Sequence, residues 1–502
     1  MTDELMSAAM VSPMILAIGG VACFGYAFLA KDRARAWTGT LAASFFLAIF
    51  LLFLTLEIRG FDASGGSMFS LLFPNQLGML IALLSTGLGA LACIYSQGSL
   101  DPKGPVSHFY PLLLFAVAGT VAIGFADDLF TMFVMVELSA LPSYALVAYN
   151  YRLRRAAAAA AIKYLIQGAT GTLTALLGVS LLYVSAGTLK VSILQTALVG
   201  SSEYMTALAA VLVIAGYGVK IALVPLHTWL PDAYYQAPTG VTAVMAGATK
   251  AGALVAMFRA IASLPFDSMM SAHVGLIVCT LAMVTMTVGN IIALGQRNLR
   301  KMLAYSSIAQ MGYILLGFGV GLQYSISVGL AAGLFYLTVY GVMKGGAFLC
   351  AGAFSKATNG GRTFDELRGA GVRNPIVGAS FALFILGLIG IPATAGFPGK
   401  LMLFQAGLTP QVGGDWANWG TLLAVALALN SALSLGYYVP ALNYILFKSA
   451  HDEKVRESKI PVSMVVSIVP LAVMTVILGL YPQVAMDLVN PASTLFRPGG
   501  LP

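Results

Sequence analysis

The sequence predicts an all-α integral membrane protein of about fourteen transmembrane helices. Three observations carry that prediction. The 502-residue chain is 59% hydrophobic and only 9% charged, against about 25% charged in soluble domains. Apolar stretches of about 20 residues recur from end to end, where barrel strands would show alternating segments of about 10. The basic residues gather in short connectors after every second stretch, as the positive-inside rule requires.

Taken in order, the spans fall near 10–30, 37–57, 76–98, 109–126, 129–150, 157–184, 205–229, 238–262, 272–295, 301–321, 324–353, 376–407, 419–447 and 462–485. The first follows Asp3 and Glu4 without a basic n-region, so it reads as a retained helix, not a cleaved signal. Ser64-Gly65-Gly66, Asn359-Gly360-Gly361 and Gly413-Gly414 punctuate the connectors. The alanines at 156–161 give the sixth span a small-residue face for close helix approach.

Charge orients the spans. Odd-numbered spans end beside Lys31, Arg33 and Arg35, Lys103, Arg152, Arg154 and Arg155, Arg297, Arg300 and Lys301, Lys356, Arg362, Arg368 and Arg373, and Lys448, Lys454, Arg456 and Lys459. The seventh is the exception. The opposite loops hold Arg59, Lys190, Arg259 and Arg497. Odd ends are therefore expected in the cytoplasm and both termini outside, in the cell (inner or plasma) membrane. Lys31–Arg35 and Arg152–Arg155 read as topology signals rather than lipid or partner sites. The net charge of +8 is explained the same way and does not imply nucleic acid.

Other chemistry is excluded by what the chain lacks. There is no Gly-rich phosphate loop of Walker or Rossmann type. Cys23, Cys93, Cys279 and Cys350 lie singly in apolar spans, with no CxxC pair or His/Cys cluster for iron–sulfur or zinc. They read as buried small hydrophobes.

Once topology is accounted for, five lysines remain, all inside spans: Lys163, Lys220, Lys250, Lys344 and Lys400. Of the acids, only Glu137 sits well inside a span, with Asp127 and Asp128 at its edge. A charge at the bilayer centre costs about 2.5–3.5 kcal/mol on insertion scales. Lys220 and Lys250 flank a segment broken by Pro225 and Pro231, and Lys400 follows GIPATAGFPGK, a second interrupted span. Burial favours the neutral amine, and a nearby carboxylate favours the ammonium. Moving Glu137 relative to Lys220 would therefore switch the lysine between holding and releasing a proton. Ser139, Gln167, Thr170, Thr172, Tyr305, Ser306, Ser307 and Gln310 could hold water along the way. Lys163 and Lys344 could instead snorkel toward the interface. His227 could relay protons or cap the broken end, whereas His108, His273 and His451 read as interface or loop residues.

Lys163 and Lys344 are separated by 181 residues, Lys220 and Lys400 by 180. Five spans separate the two interrupted helices, so the halves would be inverted relative to one another. Interrupted helices in corresponding positions of two halves point to a transport site.

The stretches FVMVELSALPSYALVAY, KIALVPLHTWLPDAYYQAPTGVTAV, LAYSSIAQMGYILLG and GIPATAGFPGKLMLF resemble the antiporter-like proton-translocating subunits of respiratory complex I. That family is shared with Mrp-type sodium/proton antiporters and membrane-bound hydrogenases. The resemblance implies two inverted five-helix repeats with discontinuous helices 7 and 12. It divides the chain into N-terminal helices (1–108), a first repeat (109–262), a second repeat (263–447) and a C-terminal loop and helix (448–502). By position, Glu137, Lys163, Lys220 and Lys250 look like the glutamate of helix 5 and the lysines of helices 6, 7 and 8, and Lys400 like the exit-side residue of helix 12. A lysine there, where the M type usually has Glu, favours the N type, and no long lateral helix of the L type is expected. HTWLPDA and Lys344 look more like M-type or Mrp D-type chains.

The expected function is a proton-translocating membrane subunit of a complex I-like oxidoreductase, an enzyme only as part of that complex. No cofactor is expected in this chain; flavin, iron–sulfur clusters and quinone belong to partner subunits. The expected partners are other membrane subunits, a peripheral redox arm and lipids. The alternatives are an Mrp-type antiporter or membrane-bound hydrogenase subunit and, in a different class, a non-transporting membrane scaffold.

Overall fold

The computed structural model describes residues 2–29, 34–58, 72–100, 106–264, 268–324, 327–409, 417–448 and 459–495. Ser64-Gly65-Gly66, Gly413-Gly414, Lys31, Arg33, Arg59, Lys103, His451, Lys454, Arg456 and Arg497 lie outside the described residues, and the Asp3, Glu4 and Arg35 side chains likewise.

Helices dominate because the chain is apolar and every backbone group in lipid needs an internal partner. They are α1 (Thr2–Leu29), α2 (Ala34–Ile58), α3 (Gln76–Ser99), α4 (Val106–Phe125), α5 (Leu129–Val147) and α6 (Arg155–Ala186). Next come α7a (Glu203–Ile221) and α7b (Leu230–Gln236), then α8 (Thr239–Ala262), α9 (Ser268–Leu294), α10 (Leu299–Gln323) and α11 (Ser327–Ala357). The last are α12a (Pro375–Ile389), α12b (Gly396–Leu408), α13 (Ala417–Leu442), α14 (Val462–Leu480) and α15 (Gln483–Thr494). Among the described residues thirteen helices are long and apolar enough to cross a membrane. The two halves of α12 supply one further crossing, which makes the fourteen that the sequence predicts. Polar side chains start several helices where the first amides lack partners. Asn75 accepts from the Gly78 amide, Asp128 from Thr131, and Asn298 from Arg300 and Lys301.

The centre of the molecule is α8, α10 and α11, each buried over 94% of its most apolar window; α1, α2 and α6 bury only 39%, 33% and 39% of theirs. The outer helices therefore present apolar side chains to their surroundings. Close approach of α6 and α7a depends on glycine. A Cβ on Gly216 would lie 2.4 Å from the Ala175 amide nitrogen, inside the neighbouring backbone.

Both interrupted helices break, but at different places relative to their lysines. α7a ends at Ala222, in the left-handed region at φ 60°. Pro231 does not break anything: it opens α7b, where its missing N–H is harmless. α12a ends at Gly390, φ 95°. Lys220 thus stands just before its break, and Lys400 stands inside the half-helix after its own. The near-equal lysine spacing is not matched by the breaks. Two basic residues assigned to loops, Arg259 and Arg300, are instead buried inside helices, at 3% and 9% exposure. Arg259 donates to the Ala126 carbonyl and lies 3.7 Å from Asp127. It is a clamp at the α4–α5 corner rather than a loop charge.

Candidate functional site

Lys220, Lys250, Lys344 and Lys400 are all buried, with side chains from α5, α7a, α8, α10, α11, α12 and α13 gathered around them. Each ammonium lies near a tyrosine, with the ring centres of Tyr144, Tyr234, Tyr438 and Tyr313 at 5.0, 5.6, 5.8 and 4.9 Å in that order; Lys220 and Lys344 meet the hydroxyl edge of theirs, and Lys250 and Lys400 lie over the ring. A cation against a ring face gains about 0.5–2 kcal/mol, more as water is excluded. These contacts offset part of the cost of burying the charge.

At the first break, Lys220 Nζ lies 3.3 Å from Glu137 Oε1 and donates to the Tyr144 hydroxyl at 2.6 Å. Glu137 and Tyr144 are seven residues apart on α5, two turns along one helix face, so both point at the same neighbour. That spacing was the available signal for Tyr144, which sequence reasoning missed. The Trp229 indole donates to the Val219 carbonyl at 2.8 Å and ties the chain after the break back onto α7a.

Between Lys220 and Lys250 lies a cavity of about 20 Å³, lined by Ser139, Ser143, Tyr164, Tyr234 and Thr249 among others. A polar space of this size has room for about one water. Lys250 follows directly on a π-helical turn, Met245–Thr249. Such a turn shifts the register of the side chains after it and is common at functional sites.

Lys250 reaches the Ser307 hydroxyl at 3.5 Å, and Ser307 also bonds the Tyr340 hydroxyl. The adjacent Ser306 accepts from Lys344, which approaches Tyr438 at 3.5 Å. Two consecutive serines on α10 thus face lysines from α8 and α11. Tyr438 and Tyr336 both bond Gln310, whose amide reaches the Leu388 carbonyl at 3.4 Å. That carbonyl accepts from Lys400 at 2.9 Å. Lys400 also donates to the Ile389 carbonyl and the Ser431 hydroxyl, both at 2.9 Å. The carbonyls belong to the C-terminal end of α12a, where unpaired acceptors and the helix dipole favour a cation.

Lys163 stands apart. It pairs with Asp232 of α7b at 2.8 Å, and the two side chains are 38% and 45% exposed. Asp232 is a carboxylate on the short second half of the seventh helix that sequence reasoning overlooked, because it sits in the interrupted segment and not in a regular span. Lys344, at 0% exposure, does not snorkel. His227 lies in the break between α7a and α7b, and its buried Nδ1 has no hydrogen-bond partner among the described residues. Thr170 and Thr172 bond carbonyls of their own helix, and Gln167 bonds Thr228 on the exposed side. These three do not join the line, whereas Ser139, Ser306, Ser307 and Gln310 do. Among the described residues no group of three or more His, Cys, Asp or Glu could hold a metal ion.

Comparison with known proteins agrees with this architecture. The family model for "NADH:quinone oxidoreductase/Mrp antiporter, TM" matches residues 126–425. The chain is 33% identical to F(420)H(2) dehydrogenase subunit N of Methanosarcina mazei over 92% of each chain. It is 36% identical to NADH-quinone oxidoreductase subunit N of Rhodococcus opacus, covering 78% of this chain and 70% of the relative. Its fold matches a chain of the Mrp complex from Dietzia sp. DQ12-45-1b, with a TM-score of 0.85 at 23% identity, over 99% of both. This chain belongs to the NADH:quinone oxidoreductase/Mrp antiporter transmembrane family.

Proposed function

We propose that this chain is the N-type proton-translocating membrane subunit of a complex I-like oxidoreductase. The observation that carries the reading is the line of four buried lysines linked by hydroxyls, amides and one water-sized cavity. A lone buried lysine is a cost. A connected row is a path for protons, since each member has a neighbour that can accept from it.

Glu137 acts as the switch. While it faces Lys220, the ammonium is paired. Removing one partner of a buried ion pair costs on the order of 3–5 kcal/mol, enough to drive the proton from Lys220 toward the cavity and Lys250. The proton then crosses α10 by Ser307 and Ser306 to Lys344, and passes Tyr438 and Gln310 to Lys400 on the exit side. Entry is from the cytoplasm, with both termini outside. Lys163 and Asp232 stand on the entry side of the switch, and His227 is a relay in the break beside them.

Energy comes from partners, because this chain carries no redox group in the proposal; flavin, iron–sulfur clusters and quinone reside elsewhere in the complex. The relatives are named as subunits of F(420)H(2) and NADH-quinone oxidoreductases, which supports that assignment without fixing the donor. A membrane partner is supported by the face that carries Glu137, Lys163 and Asp232. These groups are 22%, 38% and 45% exposed, and the Gln167–Thr228 pair lies beside them. Lipid tails cannot solvate such groups, so a neighbouring subunit with polar residues covers them. Its movement would displace Glu137.

Lys220→Ala tests the reading. In the intact complex in proteoliposomes, electron transfer continues and the number of protons moved per electron falls. A normal ratio with assembly intact overturns it. A sodium/proton antiporter subunit without redox partners is the second reading, favoured by HTWLPDA and by Lys344 on α11. Flavin or iron–sulfur absorbance in the purified complex decides against it.

A further inference from the structure

A cavity of about 550 Å³ opens where α3, α5, α7b and α11 end and α6, α8 and α10 begin, at one boundary of the membrane. Its lining includes Arg154, Arg300, Lys356 and Arg362, together with Gln236 and Thr239, and no Asp or Glu among the described residues. Arg300 is the unusual member. It is only 9% exposed; one guanidinium nitrogen bonds the Thr239 hydroxyl, and its Nε has no partner. The positive-inside rule explains why cations collect at this boundary, but it asks for cations in loops and not for a buried, incompletely bonded one. The nearby carboxylates are committed elsewhere. Glu366 accepts from the Arg362 and Thr363 amides, and Asp365 pairs with Arg368. The Arg362 guanidinium is oriented by the Tyr235 carbonyl at 3.3 Å and by the Tyr235 ring.

A vestibule for protons would not be built this way, since four cations repel a hydronium ion. An anion fits instead. Guanidinium groups offer forked donors that match phosphate oxygens, and basic pockets between transmembrane helices on the cytoplasmic side suit lipid headgroups. The volume exceeds that of a free phosphate and lies in the range of ligand pockets, about 300–1,000 Å³. We propose that this cavity binds a phosphate ester, the headgroup of an anionic lipid, with Arg300 at its base and Arg154 and Arg362 at its mouth. The bound headgroup would tie together the ends of helices that carry the lysine line, without taking part in proton movement.

The test uses the delipidated complex in neutral detergent, with native mass spectrometry and thermal unfolding as readouts. The probes are dioleoylphosphatidylglycerol, dioleoylphosphatidylcholine and inorganic phosphate. Phosphatidylglycerol should bind and raise the unfolding midpoint, and phosphatidylcholine should not. Arg154→Gln and Arg362→Gln should each weaken phosphatidylglycerol about fivefold, and both variants leave the buried Arg300 in place should its own replacement fail to fold. Protection by millimolar phosphate but not by phosphatidylglycerol would overturn the lipid and leave a free-phosphate site. Equal binding of the two lipids, or none lost in either variant, would overturn the site altogether.

Discussion

The two broken helices hold their lysines by different physics. Lys220, on the last turn of α7a, takes its partners from another helix: Glu137 and Tyr144 of α5. Lys400, on α12b, takes two backbone carbonyls from the end of α12a and one hydroxyl from α13. Among the described residues no carboxylate pairs with Lys400, Lys344 or Lys250. The first seat contains a full countercharge on a side chain that is partly exposed and free to be drawn away. The second contains only dipoles, and two of them are fixed in a helix end. A countercharge can be switched by a small movement, whereas helix-end carbonyls leave only if α12a moves. In the proposed mechanism the first half suits timing, and the second suits holding a proton at a defined place.

The largest effect separating the two seats should come from Glu137→Ala, which leaves Lys220 buried without its countercharge. At about 3–5 kcal/mol, proton translocation per electron should fall more than a hundredfold in proteoliposomes while the subunit still assembles. An unchanged ratio would erase the distinction between the halves. Glycine substitutions come next, with opposite signs. Gly390→Ala puts a side chain at φ 95° and a Cβ 3.0 Å from the Lys400 Cδ, at a cost of about 1–2 kcal/mol or more. Ala222→Gly, at φ 60° in the first break, should stabilise by up to about 1 kcal/mol and leave pumping intact. Shifts of the unfolding midpoint in the same direction would show that the breaks are not held as described.

Single hydrogen bonds give effects of similar size. Tyr144→Phe removes a 2.6 Å acceptor from Lys220, worth about 1.5–3 kcal/mol for a bond to a charged group. Ser431→Ala leaves Lys400 with two carbonyls and should cost less. Steady-state pumping rates should fall about tenfold and a few-fold respectively; the reverse order would argue that the carbonyls do not hold Lys400. The smallest effect belongs to Lys163→Gln. Its pair with Asp232 stands apart from the row of four buried lysines, so that row stays connected without it. Pumping should fall less than fivefold, and a complete loss would move Lys163 into the line itself.

Much of this was legible in the sequence because the membrane makes charge placement expensive. Removing the topology-determined basic residues left five lysines, and four of them prove to be deeply buried neighbours of one polar line. Glu137 was legible for the same reason, as the one acid well inside a span. Asp232 was not, because a broken helix has no regular span to be inside. Arg259 and Arg300 were misread as loop charges: sequence position gives distance from a span's end, not the direction of a seven-atom side chain. Apart from Tyr144, which its spacing from Glu137 could have flagged, the tyrosines were not legible because an amphipathic ring is at home anywhere in a membrane protein; only its neighbours reveal that it meets an ammonium.

The sequence by itself determined the class, the number of crossings, the two interruptions and the four buried lysines, since each follows from the cost of polar groups in lipid. Only the tertiary structure decided who meets whom. The meeting of Lys220 with Glu137 was expected from the sequence, but that Lys400 faces carbonyls depends on where its chain break falls relative to the lysine. That Ser306 and Ser307 serve lysines from two different helices depends on how α8 and α11 pack against α10. Burial is written locally in residue type, but pairing is a property of packed surfaces, and only the packing of distant helices fixes it.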